Sequence, residues 1–238
     1  MCTSFLFRGN DTLIGMNYDN HGMNFEMEPH RPDRFVVSMK SWGKKRALFG
    51  VRSDGIFANQ QVVDPCEAGK YRLGPHVVHT SQLVGAVLQG KPAAGQVGEY
   101  LAARTVVNPP RLSLHCLVAD ANGQSWVVEP GRGTVCFGRQ TRSVVMSNCP
   151  VSGAIHTGKW EGFGVDRQLL AQELLQRADD GFTVQDAFAV LKAVQQTQGD
   201  WITEFSLVYS ARENAVYYCL LHDFGTIHRY QLQRDGNG

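Results

Sequence analysis

The sequence predicts an α+β domain, with antiparallel sheets covered by paired helices. Short β-prone runs separated by turn signals fill the first half and return at the end. Two pairs of segments with a helical hydrophobic period interrupt them. Most joints between the β runs are of hairpin length, which suits antiparallel pairing. At 238 residues the chain lies near the upper end of what one core holds. One domain over 2–233 is expected, with a frayed tail over 234–238.

The elements follow in order. Residues 3–7 are apolar and β-prone, Gly9-Asn10-Asp11 is a turn signal, and 12–16 return as a second strand. This hairpin places residue 2 at the end of a strand. Strands are expected over 34–39, 47–51 and 56–63, with Ser53-Asp54-Gly55 as a tight turn before the last. A helix capped by Thr80 or Ser81 carries Leu83, Val84, Val87 and Leu88 on one face. A second helix over 97–104 stops before Asn108-Pro109-Pro110. The clearest hairpin runs over 112–119 and 125–129 around Asp120-Ala121-Asn122-Gly123, and 134–138 and 143–146 continue the sheet. Val165, Leu169, Leu170, Leu174 and Leu175 then recur at helical spacing. Val184, Ala187, Phe188, Leu191 and Val194 do so after a capping-box-like Thr183 and Asp186. Strands over 205–209, 215–221 and 226–232 close the chain.

Lys+Arg total 23 and Asp+Glu 22, so no basic excess supports nucleic-acid binding. No apolar stretch reaches the roughly 20 residues of a membrane span. Arg8, Asn10 and Asp11 interrupt any signal-peptide core, so a cytoplasmic protein is expected. Cys2, Cys66, Cys116, Cys136, Cys149 and Cys219 form no C-x-x-C pair, and His76 with His79 lacks completing ligands, so no metal or cofactor is expected. Cys116, Cys136 and Cys219 lie in apolar runs and are expected to pack as small hydrophobes. Cys149 is expected to pack or line a pocket.

Met1-Cys2 is the chemical clue. A small second residue permits removal of the initiator Met. Cys2 would then carry a thiol and a free α-amine on one Cα, with ordinary pKa values of about 8.5 and about 7.7–8.0. The amine can take the thiol proton directly or through one water, and no separate histidine is needed.

Met1 to Phe5, then Leu13-Ile14-Gly15-Met16-Asn17-Tyr18-Asp19, resembles the opening of the linear amide C–N hydrolases. That group includes choloylglycine hydrolases, penicillin V acylases, penicillin-type acyltransferases and acid ceramidase relatives. His115 to Gly123 with Trp126-Val127-Val128-Glu129 resembles its central hairpin. Val145 to Pro150 resembles its Thr-Asn-x-Pro segment, Gly164-Val165-Asp166-Arg167 a helix opening, and Phe205 to Tyr209 with Tyr217-Tyr218 the closing strands. These short matches spread over about 2–220 in the group's order.

The resemblance implies a four-layer αββα N-terminal-nucleophile hydrolase fold, two stacked antiparallel sheets between helix layers. It implies hydrolysis of a small-molecule acyl amide through a Cys2 thioester, with Asp19 holding the α-amine and Asn148 donating to the oxyanion. A second oxyanion donor is expected from the strand carrying Asn59, Gln60 and Gln61; Asn59 is the choice on chemistry, with Gln61 close behind. Met16, Tyr18 and Gln61 are the substrate-contact candidates, and Phe25, Trp42 and Phe57 further aromatics for an acyl pocket. Two positions depart from the group's pattern: its Arg residues fall at Met16 and Glu204. Either another residue such as Arg8 or Arg52 restores the positive charge, or the substrate differs, or the site is weaker. Acyl transfer to another amine, or an acyl-amide-binding scaffold without turnover, are the alternatives. Members of the group are often homo-oligomers, which leaves that arrangement open here.

Overall fold

The computed structural model describes residues 2–22, 24–41 and 43–233. The expected tail over 234–238, Trp42 and Met1 lie outside the described residues. Strands β1 (Thr3–Arg8), β2 (Thr12–Asn20), β3 (Phe25–Met27), β4 (Arg34–Ser41), β5 (Lys44–Arg52), β6 (Ile56–Asn59), β7 (Gln61–Val62) and β8 (Val77–His79) come first. Helices α1 (Thr80–Leu88) and α2 (Val97–Ala102) follow. Then come β9 (Thr105–Val107), β10 (Leu114–Asp120), β11 (Ser125–Glu129), β12 (Gly133–Phe137) and β13 (Ser143–Met146). Helices α3 (Val151–Thr157), α4 (Val165–Arg177) and α5 (Val184–Ala193) precede β14 (Ile202–Ser210), β15 (Ala215–Leu220) and β16 (His228–Gln231).

A 6-stranded sheet runs β13-β1-β2-β14-β15-β16, and an 8-stranded sheet runs β12-β11-β10-β6-β5-β4-β3 with β7 also on β10. Both are antiparallel throughout. Side chains alternate between faces along each strand, and here both faces are covered. Leu6, Ile14, Met16, Phe205 and Leu207 of the smaller sheet meet Val37, Phe49, Val51, Phe57 and Leu117 of the larger one. The opposite face of the smaller sheet, with Phe5, Phe7, Leu13 and Val208, packs on Ala171, Leu175, Ala187 and Leu191 of α4 and α5. The outer face of the larger sheet, with Ile56, Ala58, Cys116 and Val118, packs on Leu83, Val84 and Val87 of α1. The layers are therefore helix, sheet, sheet, helix. Each fully buried Phe or Leu in them contributes about 1.5–3 kcal/mol.

Several expectations change in detail. The strand expected over 56–63 is interrupted at Gln60. Asn59 Oδ1 accepts from the backbone N–H of Leu117 at 3.0 Å, taking the place of a ladder carbonyl. Register is kept across the break, since Ala58 pairs with Val118 and Gln61 with His115. Asn59 and Gln61 therefore share a face, and Gln60 turns the other way to accept from Ser81 Oγ at 2.9 Å.

Helix α1 is capped by His79 rather than by Thr80 or Ser81; His79 Nδ1 accepts from Gln82 N and Gln82 Oε1 from His79 N. Helix α4 turns Arg167, Gln168, Ala171 and Leu175 inward and leaves Leu169 and Leu170 exposed, so its buried stripe is partly polar. Cys116 and Cys219 are fully buried as expected, but Cys136 is exposed, on the edge strand β12 of the larger sheet. The short elements β3, β8, β9 and α3 carry too little periodicity to be seen in sequence.

Candidate active site

Thr3 pairs with Asn17 across β1 and β2, so the next step of that register brings Cys2 across from Tyr18, beside Asp19. The Cys2 thiol is buried on the inter-sheet side, with Sγ 3.8 Å from the Asp19 carbonyl oxygen. Burial pushes the thiol up to about 11; Asp19 adds to the rise and Arg167 opposes it. A thiol held there is protonated at neutral pH and needs a base to become a nucleophile.

Asp19 stands near the end of β2. Strand β14 bulges opposite it, with Thr203 paired to Asp19 and Phe205 to Tyr18. That bulge aims Thr203 Oγ1 at Asp19 Oδ1, 2.6 Å away. Gln196 Nε2 donates to Asp19 Oδ2 at 2.7 Å, and Arg167 approaches at 3.6 Å. Burial raises the Asp19 carboxyl above its ordinary value, while Thr203, Arg167 and Gln196 pull it back. Glu204 is the extra residue of the bulge; its buried carboxylate accepts from Asn20 Nδ2 at 3.2 Å.

Arg167 supplies the positive charge. Its NH1 donates to the Cys2 carbonyl and to Thr3 Oγ1, both at 2.9 Å, and its NH2 donates to Asn148 Oδ1 at 2.9 Å. Gly164 makes room for it: φ is +72° there, and a Cβ would lie 2.5 Å from Arg167 NH2. Arg8 and Arg52, the cations weighed from sequence, serve elsewhere. Arg8 holds the carbonyls of Thr141 and Gly123, and Arg52 those of Val87 and Pro92. Arg167 shares a helical face with Ala171 and Leu175, but the apolar spacing of the helix pointed at Leu169 and Leu170 instead.

Asn148 follows β13. Its Nδ2 donates to the Val62 carbonyl at 2.6 Å, which leaves a second N–H on the same nitrogen. Gln61 is satisfied with its Oε1 accepting from Ser4 Oγ at 2.6 Å and Asn59 Nδ2 at 3.0 Å. Its Nε2 then faces the carbonyls of Cys2, Met146 and Ser147 at 3.2–3.3 Å. Asn59 contacts Gln61, which in turn faces the Cys2 carbonyl. Met16 is buried in the inter-sheet core, with its sulfur 3.4 Å from Asn59 Nδ2.

Cys2, Tyr18, Asp19 and Gln61 border an open cleft of about 590 Å³ walled by Leu48, Leu114, Phe163 and Trp201. Asn59, Asn148 and Met16 do not border it, and neither do Phe25 or Phe57. Phe25 packs edge-on against Tyr18, and Phe57 is fully buried between the sheets.

Behind Asn148 lies a buried polar cluster without an assigned role in the sequence reading. His115 Nδ1 is 3.1 Å from Glu129 Oε1, and its Nε2 is 2.7 Å from the Ser147 carbonyl. Glu129 also accepts from the backbone N–H groups of Val151 and Ser152 at 2.8 Å and from Ser152 Oγ. Burial alone would raise Glu129, but His115, Ser152 and Val151 outweigh it and hold the carboxyl at about 2. Cys149 is buried beside Ser147 Oγ at 3.4 Å.

Among the described residues no three His, Cys, Asp or Glu side chains converge as a metal site. No described helix is long and apolar enough to cross a membrane.

No family model matches the chain. No curated protein matches it in sequence. Solved structures do match. A mutant of the conjugated bile acid hydrolase from Clostridium perfringens is similar over 97% of this chain and 92% of its own, with a TM-score of 0.73 and 14% identity. The penicillin V acylase from Agrobacterium tumefaciens is similar over 92% of this chain and 83% of its own, with a TM-score of 0.68 and 16% identity. A Caenorhabditis elegans ortholog of N-acylethanolamine-hydrolyzing acid amidase is similar over 88% and 93%, with a TM-score of 0.62 and 15% identity. At these identities the likeness is one of fold, and the chain shares the stacked two-sheet α+β fold of those enzymes.

Proposed function

We propose that this chain is a cysteine N-terminal-nucleophile hydrolase that cleaves the C–N bond of a linear acyl amide. The observation that carries this reading is the seat of Cys2: it borders an apolar cleft with its thiol 3.8 Å from the Asp19 carbonyl, while Arg167 holds its backbone carbonyl and lies 3.6 Å from the Asp19 carboxylate.

The mechanism follows from the residues. Removal of Met1 frees the Cys2 α-amine, which takes the proton from Sγ directly or through a water. The thiolate attacks the amide carbonyl carbon, and a C–S bond forms as the carbonyl oxygen gains negative charge. The second N–H of Asn148 Nδ2 donates to that oxyanion. Gln61, steadied by Asn59, holds the backbone at Cys2 and Ser147. The α-ammonium, held by Asp19, returns its proton to the leaving nitrogen as the C–N bond breaks. Water, deprotonated by the same amine, then cleaves the thioester and releases the acid. Arg167 supplies the cation missing at Met16 and Glu204, which weakens the case for a scaffold without turnover. The cleft wall of Tyr18, Leu48, Leu114, Phe163 and Trp201 suits an apolar acyl group.

The first test is intact mass, with brief labelling by a thiol-reactive electrophile near neutral pH and a panel of acyl amides. The expected result is a mass lacking Met1, one fast-labelling thiol and release of amine from at least one apolar acyl amide. Retained Met1 with slow labelling would sink the reading.

Two further outcomes are expected. Asn148→Ala lowers kcat by about 10²–10³ with little change in KM, as loss of one oxyanion donor does. The pH profile carries the mark of Asp19. Protonation as pH falls removes the acceptor for the α-ammonium, so kcat/KM drops on the acid side. Because burial raises Asp19, that drop comes above the ordinary value of about 3.9. Asp19→Asn lowers the rate and removes this lower step, while the fall caused by protonation of the α-amine itself remains; a lower step unchanged in that variant would assign it to another group.

A further inference from the structure

The buried pair His115 and Glu129 makes no contact with Cys2, yet it brackets the segment that carries Asn148. Both side chains are fully buried, with 0% of either exposed. Both ring nitrogens of His115 face acceptors, Glu129 Oε1 on one side and the Ser147 carbonyl on the other. The ring is therefore held on both sides, by the Glu129 carboxylate at Nδ1 and by the Ser147 carbonyl at Nε2.

The two residues grip opposite ends of one short segment. His115 Nε2–H holds the carbonyl of Ser147, immediately before Asn148. Glu129 accepts from Val151 N, Ser152 N and Ser152 Oγ, immediately after Pro150. Both anchors come from the rigid hairpin β10–β11 of the larger sheet, whereas Ser147 leaves β13 of the smaller one. Gln168 Oε1 on Ser147 N, and Ser147 Oγ on the Gly164 carbonyl, complete the frame.

We infer that His115, backed by Glu129, is a positioning residue that fixes the Ser147–Asn148 peptide so that the Asn148 amide meets the oxyanion. This rests on the amide-hydrolase reading above. Without His115 the Ser147 carbonyl keeps only Gln61 Nε2 at 3.2 Å, which also faces the Cys2 and Met146 carbonyls, so the segment can drift; a displacement of about 1 Å at such a donor costs roughly 100-fold in rate.

The test uses two amides of different reach in the full chain. In His115→Gln, the amide nitrogen falls near the place of Nε2 and keeps the donor to Ser147. In His115→Asn, it falls near the place of Nδ1, faces Glu129 and removes the His115 donor from the Ser147 carbonyl. His115→Asn is expected to lose about 100-fold in kcat with KM unchanged, and His115→Gln to recover most of it. Alkylation of Cys2 by iodoacetamide forms no oxyanion, so its rate should stay at the wild-type value in both. Equal kcat in the two variants, or a parallel loss of alkylation and turnover, overturns the inference.

Should His115→Asn fail to fold, the unsubstituted chain answers the question. An acyl aldehyde forms a hemithioacetal at Cys2, and the His115 Nε2–H proton resonance should shift as its oxygen engages Asn148; an unmoved resonance overturns the inference. Failure of the underlying reading looks different: the wild-type chain then turns over no acyl amide.

Discussion

Cys2→Ala is expected to abolish acyl-amide turnover, lowering kcat by about four orders of magnitude or more, with the fold intact. The side chain removed is small, and its loss at the cleft should cost no more than about 1–2 kcal/mol of stability. A second variant separates the thiol from the amine. An uncleaved residue placed before Cys2 keeps the sulfur but leaves no free α-amine at that carbon. Burial then holds the thiol near 11, and the base that would draw its proton is missing. This extended chain should be as inactive as Cys2→Ala and should alkylate slowly. Turnover by the extended chain at the wild-type rate would disprove the role given to the α-amine.

Arg167→Leu is expected to be the most damaging change away from the nucleophile. One guanidinium holds the Cys2 carbonyl, Thr3 Oγ1 and Asn148 Oδ1 and lies 3.6 Å from Asp19. Removing one partner from a buried charged cluster typically costs about 3–5 kcal/mol. The leucine also frees Asn148 to rotate, so kcat should fall by about 10²–10³ among molecules that remain folded. Arg167→Lys should rescue little, because a single ammonium cannot donate in two diverging directions as the planar fork does. Urea unfolding and steady-state kinetics on both variants measure the two effects separately. Near-normal stability and turnover in Arg167→Leu would remove Arg167 from the site.

Much of this was legible before any coordinates. The apolar, β-prone runs at β1 and β2 and the turn at Gly9 to Asp11 place Cys2 at a strand end with Asp19 beside it. The Thr183 and Asp186 capping box starts α5 as expected. Three kinds of information were not legible. Arg167 sits in a helix whose apolar spacing pointed at Leu169 and Leu170, because periodicity weighs hydrophobicity and ignores a buried cation. The break at Gln60 arises from a side chain taking a backbone partner, which leaves no pattern in the residue order. The partners of Asp19, Thr203 and Gln196, lie far along the chain and meet it only through the bulge in β14.

The span of those contacts bears on how the molecule comes to life. Arg167 reaches Cys2 across 165 positions, and Thr203 reaches Asp19 across 184. A growing chain therefore carries its nucleophile from the first moments of synthesis but lacks most of what surrounds it until the last strands emerge. Contacts of such long range form late, after the local hairpins. The ability to cut an amide should accordingly appear only with completion of the smaller sheet, so that the rate of amide release during refolding times the docking of β14 against β2.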